Sequence, residues 1–145
     1  MKRWKCCFLC VMNNRLLLCA LLALASCSET TPPTTSDSDV DAARNFLRAS
    51  LNNDFSKARD YMFTDSANTQ LLNVAADQRA RMSKDENRHY QEATIRFYDT
   101  RKVNDTSSVV VYDNSYKRTR DSLLVFRSAG KWLVDLKYTY LGDKQ

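Results

Sequence analysis

Apolar positions between Val40 and Gly142 change period once, and the change divides this stretch into a helical half and a strand half. Val40, Ala43, Leu47 and Leu51 recur at helical spacing, Phe46 widens the stripe, and Asp39 stands before them as an N-cap. Asn52-Asn53-Asp54 interrupts the pattern. Asp54 then opens a short second helix in which Phe55, Ala58, Tyr61 and Met62 share a face, so the two helices form a corner. A third helix is predicted from Asn68 to about His89, with Leu71, Leu72, Ala75, Ala76 and Met82 inward. Ser83-Lys84-Asp85-Glu86 reads either as a capping box that restarts a helix or as a solvated helix end, and a continuous or slightly broken helix is favoured.

After Tyr90 the period becomes two, and β-branched and aromatic residues accumulate. Ala93, Ile95 and Phe97 mark one strand. Val109 and Val111, with Val110 and Tyr112 opposite, mark a second, and Leu123 and Val125, with Leu124 and Phe126 opposite, mark a third. Ala129-Gly130 turns the chain into Trp132, Val134, Leu136, Tyr138 and Tyr140, which alternate with Leu133, Asp135, Lys137 and Thr139. Helices first and strands afterwards predict an α+β domain over residues 40–142, with N-terminal helices packed on a curved antiparallel four-stranded meander.

The segment before this domain has a different chemistry. Ser28 to Asp39 reads SETTPPTTSDSD, a solvated tether with an extended path at Pro32-Pro33. Its reach is roughly 40 Å, at about 3.3 Å per residue. Upstream, Lys2, Arg3, Lys5 and Arg15 precede the apolar run Leu16 to Ala25, the arrangement of a secretory signal over residues 1–26. That run is too short for a bilayer, which needs about 20 residues in a helix. Met12-Asn13-Asn14-Arg15 followed by Leu16 would make a compact signal by itself, so Met1 and Met12 both fit as starts.

Leu24-Ala25-Ser26-Cys27 closes the apolar run and resembles the lipobox of bacterial lipoproteins, in which the cysteine is lipidated and becomes the mature N-terminus. The resemblance implies that Cys27 carries palmitate-type acyl chains; the alternative is an ordinary signal peptide that leaves Cys27 free. Acyl chains contribute about 0.8 kcal/mol per buried CH₂, and two or more anchor a protein stably. Ser28 lacks the aspartate that resembles an inner-membrane retention signal in enteric bacteria, which points to the outer membrane of a bacterial envelope.

Cleavage before Cys27 changes the charge and the thiol content. The four basic residues upstream, taken from 22, leave 18 Lys and Arg against 17 Asp and Glu, a formal mature charge near +1, and a nucleic-acid role loses its support. Cys6, Cys7, Cys10, Cys19 and Cys27 all lie at or before the cut, so neither a disulfide framework nor a cysteine metal site is available to the domain. With glycine confined to Gly130 and Gly142, no phosphate-cradling loop can be drawn, and no nucleophile-elbow signature is present. Cofactors are not implied.

Asn53-Asp54-Phe55-Ser56-Lys57-Ala58-Arg59-Asp60-Tyr61-Met62 resembles the helix corner of cystatin-like or nuclear-transport-factor-2-like lipoproteins of unknown function. Ala129-Gly130-Lys131-Trp132-Leu133-Val134-Asp135 is similar to the Gly-Lys-Trp strand entry of the same group. The resemblance implies a cone in which the sheet wraps a long helix and leaves a pocket at the open end. That superfamily includes ketosteroid isomerases and dehydratases alongside noncatalytic members, so the fold does not select the function.

Catalysis in such a cone needs an internal carboxylate or histidine with a tyrosine or second acid as oxyanion donor. His89, Asp99, Asp113 and Asp135 supply the first type, and Tyr98, Tyr112, Tyr138 and Tyr140 the second. Asp135 leads because it falls within a predicted strand: facing outward it is a solvated neighbour of Lys137, facing inward it is a pocket acid. His89 lies in a charged stretch without metal-ligand spacing, and no metal site is predicted. Trp132, Tyr138, Tyr140 and Tyr112 are the candidate ligand-pocket residues, with core and rim packing as their other role. Lys117-Arg118-Thr119-Arg120 forms a basic hairpin tip that serves solubility or touches anionic lipid or glycan. Two function classes follow. The favoured one is a membrane-anchored envelope lipoprotein whose domain binds a small hydrophobic ligand or a partner envelope protein without catalysis; the other is a cone-fold isomerase or hydrolase using a pocket carboxylate such as Asp135.

Overall fold

The computed structural model of the chain describes residues 36–141. The expected signal segment, Cys27, the expected tether up to residue 35 and Gly142 lie outside the described residues. The first helix, α1 (Asp39–Leu51), begins where Ser38, in extended backbone, accepts the Asp41 N–H on its hydroxyl. Ser38 is therefore the N-cap, and Asp39, expected in that role, is the first helical residue. The end of the expected tether is part of the domain, because Ser36 is buried and accepts a hydrogen bond from the Asn45 amide. Ala42, Ala43, Phe46, Leu47, Ala49 and Leu51 are buried along α1, which lies across all four strands.

The corner forms as predicted. Asn53 takes φ 63°, a left-handed value that asparagine tolerates, and Asp54 caps α2 (Phe55–Asp60) by accepting the Lys57 N–H. The predicted third helix is two helices, α3 (Ser66–Ala80) and α4 (Lys84–Glu92). Asp65 caps α3 through the Asn68 N–H, and Ser83 and Glu86 make both halves of a capping box at α4. The inner face of α3 differs from the expected one: Leu72 and the polar Asn68 and Arg79 are buried, while Leu71, Ala75, Ala76 and Met82 are only half-buried.

The strands β1 (Ile95–Asn104), β2 (Ser107–Asn114), β3 (Asp121–Ser128) and β4 (Lys131–Asp135) pair antiparallel in chain order, giving an open meander. Ala93, expected in the first strand, instead ends α4. Ser108 opposite Val125, Val110 opposite Leu123 and Val125 opposite Val134 place these five residues on one face, where all are fully buried beneath the helices. Ala129 (φ 47°) and Gly130 (φ 80°) form the β3–β4 turn, whose positive φ values match the twist of the paired strands. The outer edge of β4 is closed by Tyr61 to Phe63: the Val134 N–H donates to the Tyr61 carbonyl, and the Phe63 N–H to the Val134 carbonyl, both at 2.9 Å.

The fourth strand is shorter than its alternation predicts. It stops at Asp135, and residues Leu136–Leu141 form a fifth helix, α5. Two side chains receive the first N–H groups: Asn68 Oδ1 accepts from Leu136 at 2.8 Å, and Asp135 Oδ1 accepts from Lys137 at 3.0 Å. Leu136 and Thr139, three residues apart, are then buried together, while Tyr140 is 57% exposed. Among the described residues no helix is long and apolar enough to cross a membrane.

Candidate functional site: an apolar cavity with a buried arginine

Between the helices and the inner sheet face lies a cavity of about 170 Å³. Phe46 and Leu51 come to it from α1, Leu72 from α3, Met82 from the α3–α4 link, Ile95 from β1, and Leu136 from α5. Tyr112 on β2 and Tyr140 on α5 add aromatic wall, while Gln78, Arg79, Asn114 and Lys117 supply polar groups. Burial, then the Asp121 carboxylate and Tyr140, push the Tyr112 phenol well above its ordinary value, so it remains protonated at neutral pH.

Arg79 is the unusual wall residue. It is 6% exposed, its Nη2 donates to the Leu51 carbonyl at the end of α1 at 3.0 Å, and its guanidinium stands 4.2 Å over the Tyr90 ring. Nε and Nη1 are buried and have no hydrogen-bond partner among the described residues. Burial lowers its pKa, opposed by Tyr90, but an arginine stays charged throughout the physiological range.

The predicted site residues divide around this cavity. Tyr112 and Tyr140 line it; Trp132, Tyr138 and Asp135 do not. Trp132 is half-buried against the core with the Lys102 ammonium 5.2 Å over its ring. Asp135 pairs with Leu124 on the sheet face opposite Val134, and its carboxylate binds the Lys137 backbone and lies 3.5 Å from the Lys137 ammonium. That is the outward-facing arrangement of the two considered for it.

His89 is exposed and stacks on Tyr116 with ring centroids 5.3 Å apart, and Asp99 is exposed and accepts the Thr100 N–H. Asp113 is buried on the outer sheet face rather than serving a simple turn. Arg96 grips both its oxygens at 2.8 and 3.0 Å, and the Tyr98 hydroxyl donates to it at 2.7 Å. Arg96, then Tyr98, holds the Asp113 carboxyl below its ordinary range. A bulge between Phe97 and Asp99 brings Tyr98 there, and Arg120 of the basic tip covers the Tyr98 ring at 4.2 Å. The tip is thus partly committed to internal contacts, with Lys117 on the cavity wall and Arg118 in left-handed backbone at φ 56°.

No family model, curated protein or solved structure matches this chain. No Asp, Glu or His is among the described residues that line the cavity, whose ionisable groups are Arg79, Lys117 and the tyrosines. Among the described residues no group of three or more His, Cys, Asp and Glu is placed to hold a metal ion.

Arg79 was missed in the sequence because its spacing from Leu72 and Ala76 marks the inner face, yet a charged residue there reads as solvated. The available signal was that spacing: seven residues from Leu72 is two helical turns. Asn68 was missed for the same reason, four residues before Leu72 on the same face.

Proposed function

We propose that the chain is a membrane-anchored bacterial envelope lipoprotein, held through acyl chains on Cys27, whose domain binds a small hydrophobic ligand without transforming it. The observation that carries the binding part is the composition of the cavity: mostly apolar walls with a few polar groups and no carboxylate or imidazole among them. A site of this kind can retain an apolar molecule and fix its orientation, and its described lining holds no carboxylate or imidazole to take a proton from one. The isomerase or hydrolase alternative needs a pocket carboxylate, and its named candidate, Asp135, pairs with Leu124 on the face opposite Val134 and accepts the Lys137 N–H. The anchoring part rests on the lipobox-like Leu24-Ala25-Ser26-Cys27 and the preceding basic and apolar segments.

Two measurements test the proposal. The full chain in lipid nanodiscs should enhance the fluorescence of the neutral dye N-phenylnaphthylamine over matched empty nanodiscs, and Ala75→Trp, which fills the cavity from α3, should abolish that increment. An increment that survives Ala75→Trp would place dye binding elsewhere and defeat the cavity reading. Metabolic labelling with an alkyne fatty acid should mark the wild type and not Cys27→Ser. Equal labelling of both would defeat the lipobox reading.

A further inference from the structure

The two central strands are apolar on both faces. Val109, Val110 and Val111 follow one another in β2, and Leu123, Leu124, Val125 and Phe126 in β3. A meander with one wet face reads as alternating apolar and polar residues, whereas strands that are apolar on both sides are ordinarily covered on both. Here α1 lies across the sheet on its inner face, and the outer face has no covering helix among the described residues. Val109, Val111, Leu124, Phe126 and Leu133 stand on that outer face, bordered at the β4 side by Phe63, whose ring meets Phe126 edge-on at 5.2 Å.

One row of this face runs through all four strands. Arg101 pairs with Val109, Val109 with Leu124, and Leu124 with Asp135, so a cation and a carboxylate stand at opposite margins with two apolar residues between them. Neither charge is fully answered within the chain. Arg101 is exposed and has no ion pair among the described residues. At the other margin the Lys137 ammonium is shared by two carboxylates, Asp65 at 2.5 Å and Asp135 at 3.5 Å, which leaves net negative charge beside Asp135.

We infer that the outer face packs against a second copy of this chain, sheet on sheet, about a two-fold axis that runs along the strands between β2 and β3. Such an axis lays β1 of each copy over β4 of the other, so Arg101 meets the partner's Asp135 at both margins and Val109 lies against the partner's Leu124. A two-fold axis along the row would instead set Arg101 against Arg101, and like charges disfavour it. The apolar residues supply the attraction, and the charged margins fix which way round the sheets lie. A lipid surface would have to bury or repel the Asp135 carboxylate, whereas a second copy answers it with a cation. The face presents fewer side chains than the roughly 20 to 30 per partner of a standard interface, so the dimer is a weak one, with a Kd of about 10 to 100 μM. This pairing does not depend on what the cavity holds.

The test is self-association of the full chain in detergent micelles under reducing conditions, followed by sedimentation velocity. Wild type should pass from monomer to dimer between about 1 and 300 μM. Arg101→Asp and Asp135→Arg should each weaken association by about 10-fold or more, since each sets like charges together at both margins. An equal mixture of the two should dimerise like wild type, because every margin then joins an aspartate to an arginine. Leu124→Lys probes the same face without touching Asp135 or Lys137, should weaken association equally, and decides the matter if Asp135→Arg fails to fold. Undiminished association of a folded Arg101→Asp or Leu124→Lys, or a mixture of folded charge variants that stays monomeric, would overturn the two-fold packing. A wild type that stays monomeric throughout would overturn the second copy as the occupant; if Leu124→Trp in vesicles is then quenched by brominated lipid, the face belongs to the bilayer.

Discussion

Replacing Asp39 by alanine removes a carboxylate that answers three donors: the Ser108 hydroxyl at 2.5 Å, the Lys102 ammonium at 2.7 Å and the Val40 N–H at 2.9 Å. Their losses are unequal because their access to water is unequal. The Lys102 side chain is 61% exposed and returns to solvent, so its ion pair is worth less than about 1 kcal/mol. Ser108 is completely buried, and leaving its hydroxyl without an acceptor costs about 1 to 3 kcal/mol. Loss of a negative group from the first turn of α1 adds about 0.3 to 1 kcal/mol. Asp39→Ala should therefore destabilise the domain by about 3 kcal/mol, with Ser108→Ala near about 1 and Lys102→Ala below about 1.

Urea denaturation reads these differences directly. With a slope near about 1.5 kcal/mol/M for a domain of this size, Asp39→Ala should lower the midpoint by about 2 M. The double variant Asp39→Ala/Ser108→Ala should be less destabilised than the two single losses together, by about 1 kcal/mol, since the orphaned hydroxyl is gone. A midpoint for Asp39→Ala within about 0.3 M of wild type, or strict additivity of the pair, would refute the reasoning. The pH dependence supplies a second check. Burial pushes the Asp39 carboxyl up, but Lys102, Ser108 and the Val40 N–H together hold it below its ordinary value. Its contribution is complete above the unfolded pKa of about 3.9 and is lost as pH falls through the lower folded value. Asp39→Asn should flatten the acid side of the stability profile in that window.

Three further outcomes follow from the packing. Asn68→Ala removes the acceptor for the buried Leu136 N–H, should cost about 1 to 3 kcal/mol, and should speed amide exchange at Leu136 ahead of the sheet amides, whereas equal protection there would deny Asn68 its role at the start of α5. Trp132→Ala should cost about 2 to 3 kcal/mol, at or below the range for fully buried aromatics because the ring is only half-buried; a loss under about 0.5 kcal/mol would place the ring at an exposed rim. By NMR titration, Asp113 should ionise below the ordinary aspartate range and move upward in Arg96→Met, and an unchanged titration would mean that Arg96 does not set it.

Local periodicity alone determined the α+β class, the helix corner at Asn52-Asn53-Asp54 and the four-stranded meander, because each depends on residues close in the chain. The same local chemistry announced the Ser83–Glu86 capping box, although it did not decide between a restart and a solvated end. Tertiary structure decided the rest where two local readings were equally good. Trp132 to Tyr140 alternates like a strand, but Leu136 and Thr139 also share a helical face. The choice fell to Asn68, 68 residues upstream, whose amide oxygen accepts the Leu136 N–H and allows the helix to start. The same turn of the chain carried Tyr140 to the cavity, which strand alternation could not show, while Asp135, still within β4, stays on the face opposite Val134 as alternation predicts. Arg79 is the clearest case. Its position on the inner stripe of α3 was visible, but its burial depends on the end of α1 and on Tyr90 of α4 closing around it, and those partners meet only in the folded chain.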